Sequence, residues 1–395
     1  MSNGESISIG FDGTALAQEA FKMRETVDKI SEELSREVTD PNKWWETRVK
    51  RNEYCHQLWT SRLPDVLGPA LCLFTSGKKL TFPREVPKPK TALHTNFLGF
   101  AVRAWAHLNT QARNNVAGIV GMRKLDIDRL VKSHVHPEPA YMRSTSTYLV
   151  LGRLVQTLCF ERMNICKGLR MSRMMSTRHA QYILRNDASG RCVDISDVFY
   201  VVDSQTNLAG SAETVGKFFQ SVKEWDGYTS VAPPTNELIK KLNEKSLYIF
   251  AGHGSGSDCV GGWGRVVRKG ISSTMHLIGC ASGRLRDNGR TEPRGAVTKI
   301  LDSGCKSILS LLWSVTDRDI DRFTLRLYAD WFSGVRNSSK ERGPCISRYI
   351  NESARACKLG AANAGACVNY GLIPYCLNVP ENWDKGLPNK INYKI

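Results

Sequence analysis

The sequence lacks the features that mark membrane and secreted proteins. It contains no apolar run of about 18 residues, the length that a helix needs to cross a bilayer. Its first residues, from Met1 to Ser6, include no basic segment followed by an apolar core, which is the pattern of a secretory signal. We therefore expect no membrane-spanning helix, no membrane partner and no export signal.

Several short motifs of other chemistries are also missing. No Cys-x-x-Cys pair occurs among the 12 cysteines, and Cys159 and Cys166 are too far apart for a usual zinc knuckle. The Gly-Lys-Ser/Thr ending of a phosphate loop and the Gly-x-Ser-x-Gly elbow of serine hydrolases are absent. His134 and His136 stand beside two prolines without acidic or cysteine partners, so a turn is favoured there over a metal site. The sequence thus predicts no metal, no cofactor and mostly reduced cysteines in the core.

Acidic residues are scarce relative to basic ones. The 38 Asp and Glu residues stand against 55 Lys and Arg residues, which gives a net charge of +17. Such an excess attracts nucleic acid or acidic peptides, so a non-specific DNA contact is kept as an alternative. The densest basic stretch contains Arg162, Lys167, Arg170, Arg173, Arg178 and Arg185. Because Met and Leu are interleaved with these residues, the pattern favours a solvated helix face over a DNA-binding surface.

The hydrophobic pattern divides the chain near residue 190. Before this point, apolar residues recur at helical spacing, and the proline-rich segment 78–90 is typical of an extended connector. The predicted helices cover residues 13–38, 44–63, 93–130 and 146–166. After this point, β-branched runs alternate with helical patterns, and the predicted strands cover residues 198–202, 246–251, 275–279 and 307–312. We therefore predict a mostly helical region at 1–190, followed at 191–395 by an α/β domain whose mainly parallel sheet is flanked by helices.

Two of the predicted strands end in a reactive residue between small residues. The run Tyr248–Ala251 leads to Gly252 and His253, and the run His276–Ile278 leads to Gly279 and Cys280. A lone His-Gly pair or a lone buried cysteine is usually structural. Neighbouring parallel strands, however, end at the same edge of a sheet, which would bring the imidazole beside the thiol. The pattern favours a cysteine nucleophile with a histidine general base.

Three blocks in this order resemble the protease domain of separase, the caspase-like cysteine endopeptidase that opens cohesin rings at anaphase. These blocks are His253–Gly256, Gly279–Gly283 and Leu312–Phe323. Weaker similarity extends to Trp44–Arg48, Phe199–Asp203, Trp225–Tyr228, Ala354–Leu359 and Tyr370–Pro374. The resemblance is specific, because several independent blocks appear in the order of the family.

The resemblance implies a caspase-like fold for 191–395 and a set of site residues. Cys280 would be the nucleophile and His253 the general base and then the general acid. The N–H groups of Gly254 and Cys280 would form the oxyanion hole. The family cuts after arginine, and the substrate-binding residues implied here are Trp313, Asp317 and Asp321.

The two aspartates are four residues apart, so they share a helix face. Asp319 would point away from that face. Helix capping is an equal alternative for Asp317, whereas substrate binding is favoured for Asp321. A guanidinium that leaves water needs such a carboxylate partner.

The resemblance also implies partners and a location. The substrate would be the kleisin subunit of cohesin, and a securin-like protein would inhibit the site as a pseudosubstrate. The expected location is the cytoplasm and nucleus, with chromosomes or the spindle in mitosis. Family members commonly carry a long helical solenoid before the protease, and fewer than about 200 residues precede it here. We expect that arm to be missing, truncated or supplied by a separate helical regulatory subunit.

One departure from the family pattern keeps alternatives open. The family usually has an aspartate where this chain has Ser314. An arginine-directed protease with a different substrate and a non-catalytic scaffold that retains the fold are the two alternatives. The intact pair of His253 and Cys280 argues against the scaffold.

Overall fold

A computed structural model describes residues 9, 12–35, 40–75, 80–134, 146–186, 192–266, 270–289, 291–337 and 344–380. Its helices are α1 Gly13–Ser35, α2 Pro41–Gln57, α3 Leu63–Leu67, α4 Ala92–Ala104, α5 Thr110–Val120, α6 Lys124–His134, α7 Thr177–Asn186, α8 Ala209–Ser211, α9 Lys217–Ser221, α10 Thr235–Glu244, α11 Trp263–Val266, α12 Ala296–Asp302, α13 Asp317–Arg336 and α14 Ile350–Ser353. Its strands are β1 Ser146–Val150, β2 Arg170–Met174, β3 Cys192–Asp194, β4 Val198–Val202, β5 Asp226–Thr229, β6 Leu247–Ala251, β7 Thr274–Ile278, β8 Arg286–Asn288, β9 Thr291–Arg294, β10 Ser307–Leu311, β11 Cys367–Gly371 and β12 Tyr375–Leu377. Among these residues, no helix is long and apolar enough to cross a membrane.

One eight-stranded sheet organises the structure, in the order β1-β2-β11-β10-β7-β6-β4-β5. The strands β5, β4, β6, β7 and β10 run parallel to one another. The strands β11, β2 and β1 are also mutually parallel, and they join the first group through the antiparallel pair β10 and β11. The carboxyl ends of β4, β6, β7 and β10 therefore meet at one edge, where an open α/β sheet places its functional loops.

The central strands are buried on both faces, which explains their continuous apolar sequences. Every residue of β4, β6, β7 and β10 is buried. Helix α13 packs an aromatic cluster against the sheet, in which Tyr328 contacts Phe219, Trp225, Trp331 and Phe332. The Tyr328 hydroxyl also lies 2.6 Å from Nδ1 of His276, a buried residue of β7. His276 is therefore a core histidine, and burial lowers its pKa to about 3.

The region before residue 190 is not only helical. Helices α1, α2, α4, α5 and α6 overlap the predicted helical ranges, whereas α3 begins where the range 44–63 ends. Asp40 begins α2 by accepting hydrogen bonds from the N–H groups of Asn42 and Lys43. Residues 36–38 of the first predicted helix and residues 78 and 79 of the predicted connector lie outside the described residues. The predicted helix at 146–166 is wrong, because the chain forms strand β1 and then short 3₁₀ turns. Since β1 and β2 belong to the main sheet, the boundary predicted near 190 falls inside that sheet.

The basic stretch that begins at Arg162 does not form one helix face, because Arg170 and Arg173 lie in strand β2, whereas Arg178 is exposed on helix α7. Arg173 lies in β2, is 1% exposed and forms a bidentate ion pair with Glu161, at 2.7 and 2.9 Å. Its remaining donors reach the carbonyl oxygens of Gln156 and Leu158. Arg170 stacks over the ring of Tyr375. Arg173, at the centre of the stretch, is thus internal, and the sequence prediction of a helix face is wrong there.

Candidate active site

His253 and Cys280 are brought together by two adjacent parallel strands. Ala251 at the end of β6 pairs with Ile278 at the end of β7, and the N–H of Gly252 donates to the Ile278 carbonyl oxygen at 3.2 Å. Each reactive residue follows two positions later, and both side chains line one cleft of about 720 Å³. The structure thus places His253 and Cys280 in one cleft, as the two strand ends predict.

Glycine at position 279 allows the two loops to approach each other. A Cβ built on Gly279 would overlap with the carbonyl oxygens of Gly252 and Gly254. Gly254 itself has a φ of +63°, a conformation that favours glycine. The glycines around the histidine and the cysteine therefore allow the loop after β6 and the loop after β7 to contact each other closely.

Cys280 is partly buried against the loop that follows β10. The N–H of Val315 donates to Sγ at 3.4 Å, and Sγ lies 3.5 Å from the Val315 carbonyl oxygen. Burial raises the pKa of the Cys280 thiol, and the charge of Asp317 raises it further, whereas Val315, Ser314 and Arg48 oppose the shift. The resting group is therefore a neutral thiol at neutral pH, so a base must remove its proton before attack.

His253 is exposed at the cleft. Within the described ranges, no side chain makes a hydrogen bond to its imidazole. The imidazole can therefore exchange a proton with a group in the cleft without breaking an internal hydrogen bond.

The N–H groups of Gly254 and Cys280 are available as donors. In the part of the chain that the structure describes, neither group has an acceptor within the protein. Ala281 follows with a φ of +55°, a left-handed conformation that is uncommon for a residue with a side chain. Backbone strain next to the nucleophile is typical of functional turns. The assignment of these two N–H groups to an oxyanion hole stays a prediction.

The acidic residues of α13 occupy different surroundings. Asp317 is exposed and lines the cleft, and Asp321 lies one turn further along the helix, buried against the segment 211–214. Ser211 donates to the Asp321 carboxylate at 3.0 Å, and Thr214 lies at 3.4 Å. Burial raises the pKa of Asp321 to about 6, and the charge of Asp317 contributes to this shift. Among the described residues, neither carboxylate forms an ion pair with a Lys or Arg.

Asp319 has a structural role that the sequence does not predict. Its carboxylate accepts hydrogen bonds from the N–H groups of Lys358 and Leu359 and from the Asn363 amide, at 2.8 to 3.0 Å. It also pairs with Arg322 and lines the cleft from this side. Asp319 therefore anchors the segment 358–363 beside the active site.

Trp313 is not brought into the cleft. Its side chain is 0% exposed, and its indole N–H donates to the Ala362 carbonyl oxygen at 2.7 Å. Its own carbonyl oxygen accepts from the N–H of Ala281 at 3.2 Å, so Trp313 supports the loop that carries the nucleophile. The structure gives Trp313 a packing role. Its assignment as a substrate-binding residue stays a prediction, and its side chain has no exposed surface that could contact a substrate.

One wall of the cleft comes from the helices before residue 60 and is not predicted from the sequence. Its residues are Ser31 and Leu34 of α1 and Trp44 and Trp45 of α2. The Ser31 hydroxyl lies 3.2 Å from the hydroxyl of Ser314, at the position where the family usually has an aspartate. In the sequence, this wall is indicated only by Trp44 and Trp45, which belong to the weak upstream similarity.

In the described residues, no group of three or more His, Cys, Asp or Glu could hold a metal ion.

Comparison with known proteins decides the family. The sequence matches the family described as "Separin, protease domain" over residues 94–320, which is more than half of the chain. The chain belongs to the separin protease-domain family. The match begins at residue 94 and so includes helices before the boundary predicted near 190.

Curated separins and a solved structure support this result. The chain is 32% identical over 244 residues to separin from Mus musculus, a match that covers 60% of this chain and 11% of that protein. It is 30% identical over 244 residues to separin from Emericella nidulans, with 60% of this chain and 12% of that protein covered. The chain therefore corresponds to roughly a tenth of the length of these relatives.

The structural match extends beyond the sequence match. The crystal structure of the Saccharomyces cerevisiae separase–securin complex at 2.6 Å resolution matches with a TM-score of 0.72 and 18% identity, covering 91% of this chain and 28% of that chain. This likeness shows the fold, a caspase-like α/β fold.

Proposed function

We propose that this chain is a cysteine endopeptidase of the separin type. The observation that supports this function most directly is the presence of His253 and Cys280 in one cleft, at the ends of adjacent parallel strands. A thiol with a neighbouring imidazole is the minimum apparatus for acyl transfer to sulfur.

The reaction begins when His253 removes the proton from the neutral Cys280 thiol. The thiolate attacks the carbonyl carbon of the scissile peptide bond, and the N–H groups of Gly254 and Cys280 donate to the oxygen that becomes negative. The imidazolium then protonates the leaving amine, and water hydrolyses the resulting thioester. The proton transfers by His253 contribute about 10² to 10⁴ in rate, and each oxyanion donor contributes about 10² to 10³.

Cleavage after arginine is the specificity that we propose, with Asp317 and Asp321 as guanidinium acceptors. Asp317 lines the cleft, whereas Asp321 is buried one turn further along the same helix and does not line it, so the proposed path of the guanidinium runs from Asp317 inward to Asp321. A buried carboxylate without a cation partner is costly, and an entering guanidinium would supply the missing charge. Its planar fork also matches the geometry of a carboxylate.

The partners that we propose come from the family. The substrate is the kleisin subunit of cohesin, and the inhibitor is a securin-like protein that occupies the cleft as a pseudosubstrate, since the matched yeast structure is a complex with securin. A separate helical regulatory subunit is a further proposed partner. Sister-chromatid release at anaphase then requires the chain in the cytoplasm and nucleus, at chromosomes or the spindle, where its net charge of +17 favours a non-specific DNA contact.

Labelling with an arginine-directed acyloxymethyl ketone tests the activity. We expect the purified chain to form a stable adduct at Cys280, detected by mass spectrometry, and a lysine-directed ketone to react more slowly. Cys280→Ser is the control and should form no adduct. Absence of labelling in the natural chain, under conditions where it is folded, would leave the non-catalytic scaffold as the explanation. Labelling without cleavage of a kleisin polypeptide would favour an arginine-directed protease with another substrate.

A further inference from the structure

Arg48 is a buried cation behind the catalytic cleft. It lies on α2 with 3% of its surface exposed, and its guanidinium stacks on the ring of Trp44 at 4.9 Å. Trp44 in turn lines the cleft that contains Cys280. Among the described residues, neither Nε nor Nη1 of Arg48 has a hydrogen-bond partner. An arginine so deeply buried usually pairs with a carboxylate, so its position calls for an explanation.

The acidic residues that act on Arg48 are engaged elsewhere. Glu33 of α1 forms its ion pair with Arg51, one turn after Arg48 on α2. Asp319 is committed to the segment 358–363 and to Arg322. Both carboxylates act on Arg48 through space, but neither forms a close ion pair with it. The guanidinium remains charged at neutral pH, so its positive field is not cancelled by a partner in contact.

Cys280 lies within the field of this charge. The electrostatic interaction between Arg48 and Cys280 favours the charged form of each group. Asp317 acts on Cys280 in the opposite sense. The other charged or titratable groups of the cleft are His253, Arg318, Arg322 and Lys358, which are exposed. Solvent screens exposed charges, whereas a charge held in the interior acts at a lower effective dielectric constant.

A second contact connects the helical region to the nucleophile. The Ser314 side chain lowers the pKa of the Cys280 thiol, and its hydroxyl lies 3.2 Å from that of Ser31 on α1. Helices α1 and α2 are themselves joined by the pair of Glu33 and Arg51. The two helices therefore place the Ser31 hydroxyl against Ser314 and carry the Arg48 charge that acts on Cys280.

We propose that Arg48 is a positioning residue of the active site, whose buried charge stabilises the Cys280 thiolate that forms when His253 removes the proton. The inference rests on the proposed function only in taking Cys280 as the nucleophile. It makes the helical segment that carries α1 and α2 part of the catalytic apparatus. Arg48 acts through the field at sulfur and does not contact the substrate.

The test is the pH dependence of Cys280 alkylation by iodoacetamide in the folded full chain. The rate at the Cys280 peptide is followed by mass spectrometry, with Cys280→Ser as the blank. Arg48→Met should raise the midpoint of the rate–pH profile by about 0.5 to 1 unit, which lowers the thiolate fraction at pH 7 about three- to tenfold. Because a more basic thiolate is also more nucleophilic, the rate itself should fall only about two- to fourfold. Arg48→Lys keeps the positive charge, so its midpoint should return most of the way to that of the natural chain.

Arg51→Met is the matched control. Arg51 is on the same helix and pairs with Glu33, and the charges that shift its pKa are those of Glu33, Cys55 and Glu32 rather than Cys280, so its loss should leave the midpoint unchanged. Equal midpoints in Arg48→Met and the natural chain, or an equal shift in Arg51→Met, would overturn the proposal. If either methionine variant does not fold, Arg48→Gln and Arg51→Gln are compared in the same way. Alkylation needs no peptide substrate, so a shifted midpoint in a chain that cleaves nothing would refute the proposed function and leave the role of Arg48 standing.

Discussion

Gly279 lies against the carbonyl oxygen of Gly254, so closely that no side-chain carbon fits between them. The residue before the nucleophile and the residue after the histidine are thereby in backbone contact. The distance between the two catalytic loops is therefore set by the absence of a side chain at position 279.

Gly279→Ala should separate the loops and impair the site. The added methyl group would overlap with backbone oxygens of Gly252 and Gly254, which cannot rotate away as a flexible side chain can. We expect a loss of about 1 to 3 kcal/mol in the free energy of unfolding, together with slower ketone labelling of Cys280. Gly264→Ala is the control, because a Cβ there meets nothing within 4 Å. Equal stability and labelling of the two variants would contradict the contact.

Removing either member of the catalytic pair should abolish cleavage and leave the fold intact. Cys280→Ser keeps a small hydroxyl in place of the thiol but loses the nucleophile, and the melting temperature should stay unchanged. His253→Ala alters an exposed side chain and should lower the rate of peptide cleavage by about 10² to 10⁴. His56→Ala, which removes another exposed histidine, should have no effect. A His253→Ala protein that cleaves at the natural rate would place the general base elsewhere.

Asp321 should make arginine cleavage sensitive to acid. Burial raises its pKa to about 6, so below this pH the carboxyl group is neutral and cannot pair with a guanidinium. The KM for an arginine peptide should rise as the pH falls below about 6, and this rise should disappear in Asp321→Asn together with the preference for arginine over citrulline. Asp317→Asn is the matched variant in the exposed part of the path. An unchanged preference for arginine in both variants would refute the path.

The same shift predicts the stability of Asp321→Asn. The folded carboxyl group holds its proton up to about pH 6, whereas the unfolded chain releases it near 3.8. The free energy of unfolding of the natural chain should therefore fall as the pH rises from about 4 to about 6, by up to about 3 kcal/mol. Asp321→Asn should be more stable than the natural chain at neutral pH and should lack this fall. Urea unfolding at pH 4, 5, 6 and 7 measures the difference.

Arg173→Met should destabilise the fold strongly. The substitution leaves the Glu161 carboxylate buried without its cation, and it leaves the carbonyl oxygens of Gln156 and Leu158 without donors. Breaking one side of such a buried pair costs about 3 to 5 kcal/mol. Lys217→Met removes one partner of an exposed pair with Glu213 and should change stability by less than about 0.5 kcal/mol. Chemical denaturation of the two variants measures the contrast.

The sequence predicts the catalytic half of the sheet well and the other half poorly. The strands β4, β6, β7 and β10 lie within one residue of their predicted ends, because fully buried strands are continuous apolar runs between small residues. Strand β2 is not predicted from the sequence, because Arg173 and Ser172, both buried, interrupt any apolar pattern. Arg173 depends on Glu161, 12 positions away, and Ser172 donates to the Gly371 carbonyl oxygen of β11, 199 positions away, a partner that no local pattern can reveal.

The site shows the same division. The dyad follows from two local strand endings, so the sequence predicts it directly. The wall formed by Ser31, Leu34, Trp44 and Trp45 depends on how α1 and α2 dock on the loop after β10, which is a tertiary relationship. The surroundings of Asp321 also depend on tertiary packing, because Ser211 and Thr214 belong to a helical segment that follows β4.

The place of β11 in the sheet has a consequence for the order of assembly. β11 lies between β2 and β10, so the early strands β1 and β2 reach the catalytic strands only through Cys367–Gly371. Without the residues from 367 onward, β4, β6, β7 and β10 can pair with one another, but β2 has no β11 to pair with, so β1 and β2 cannot join the sheet. Such long-range closure is slow, because the loop entropy is lost before the contacts form. Closure of the sheet is therefore a late step, because β11 follows every other strand of this sheet in the chain.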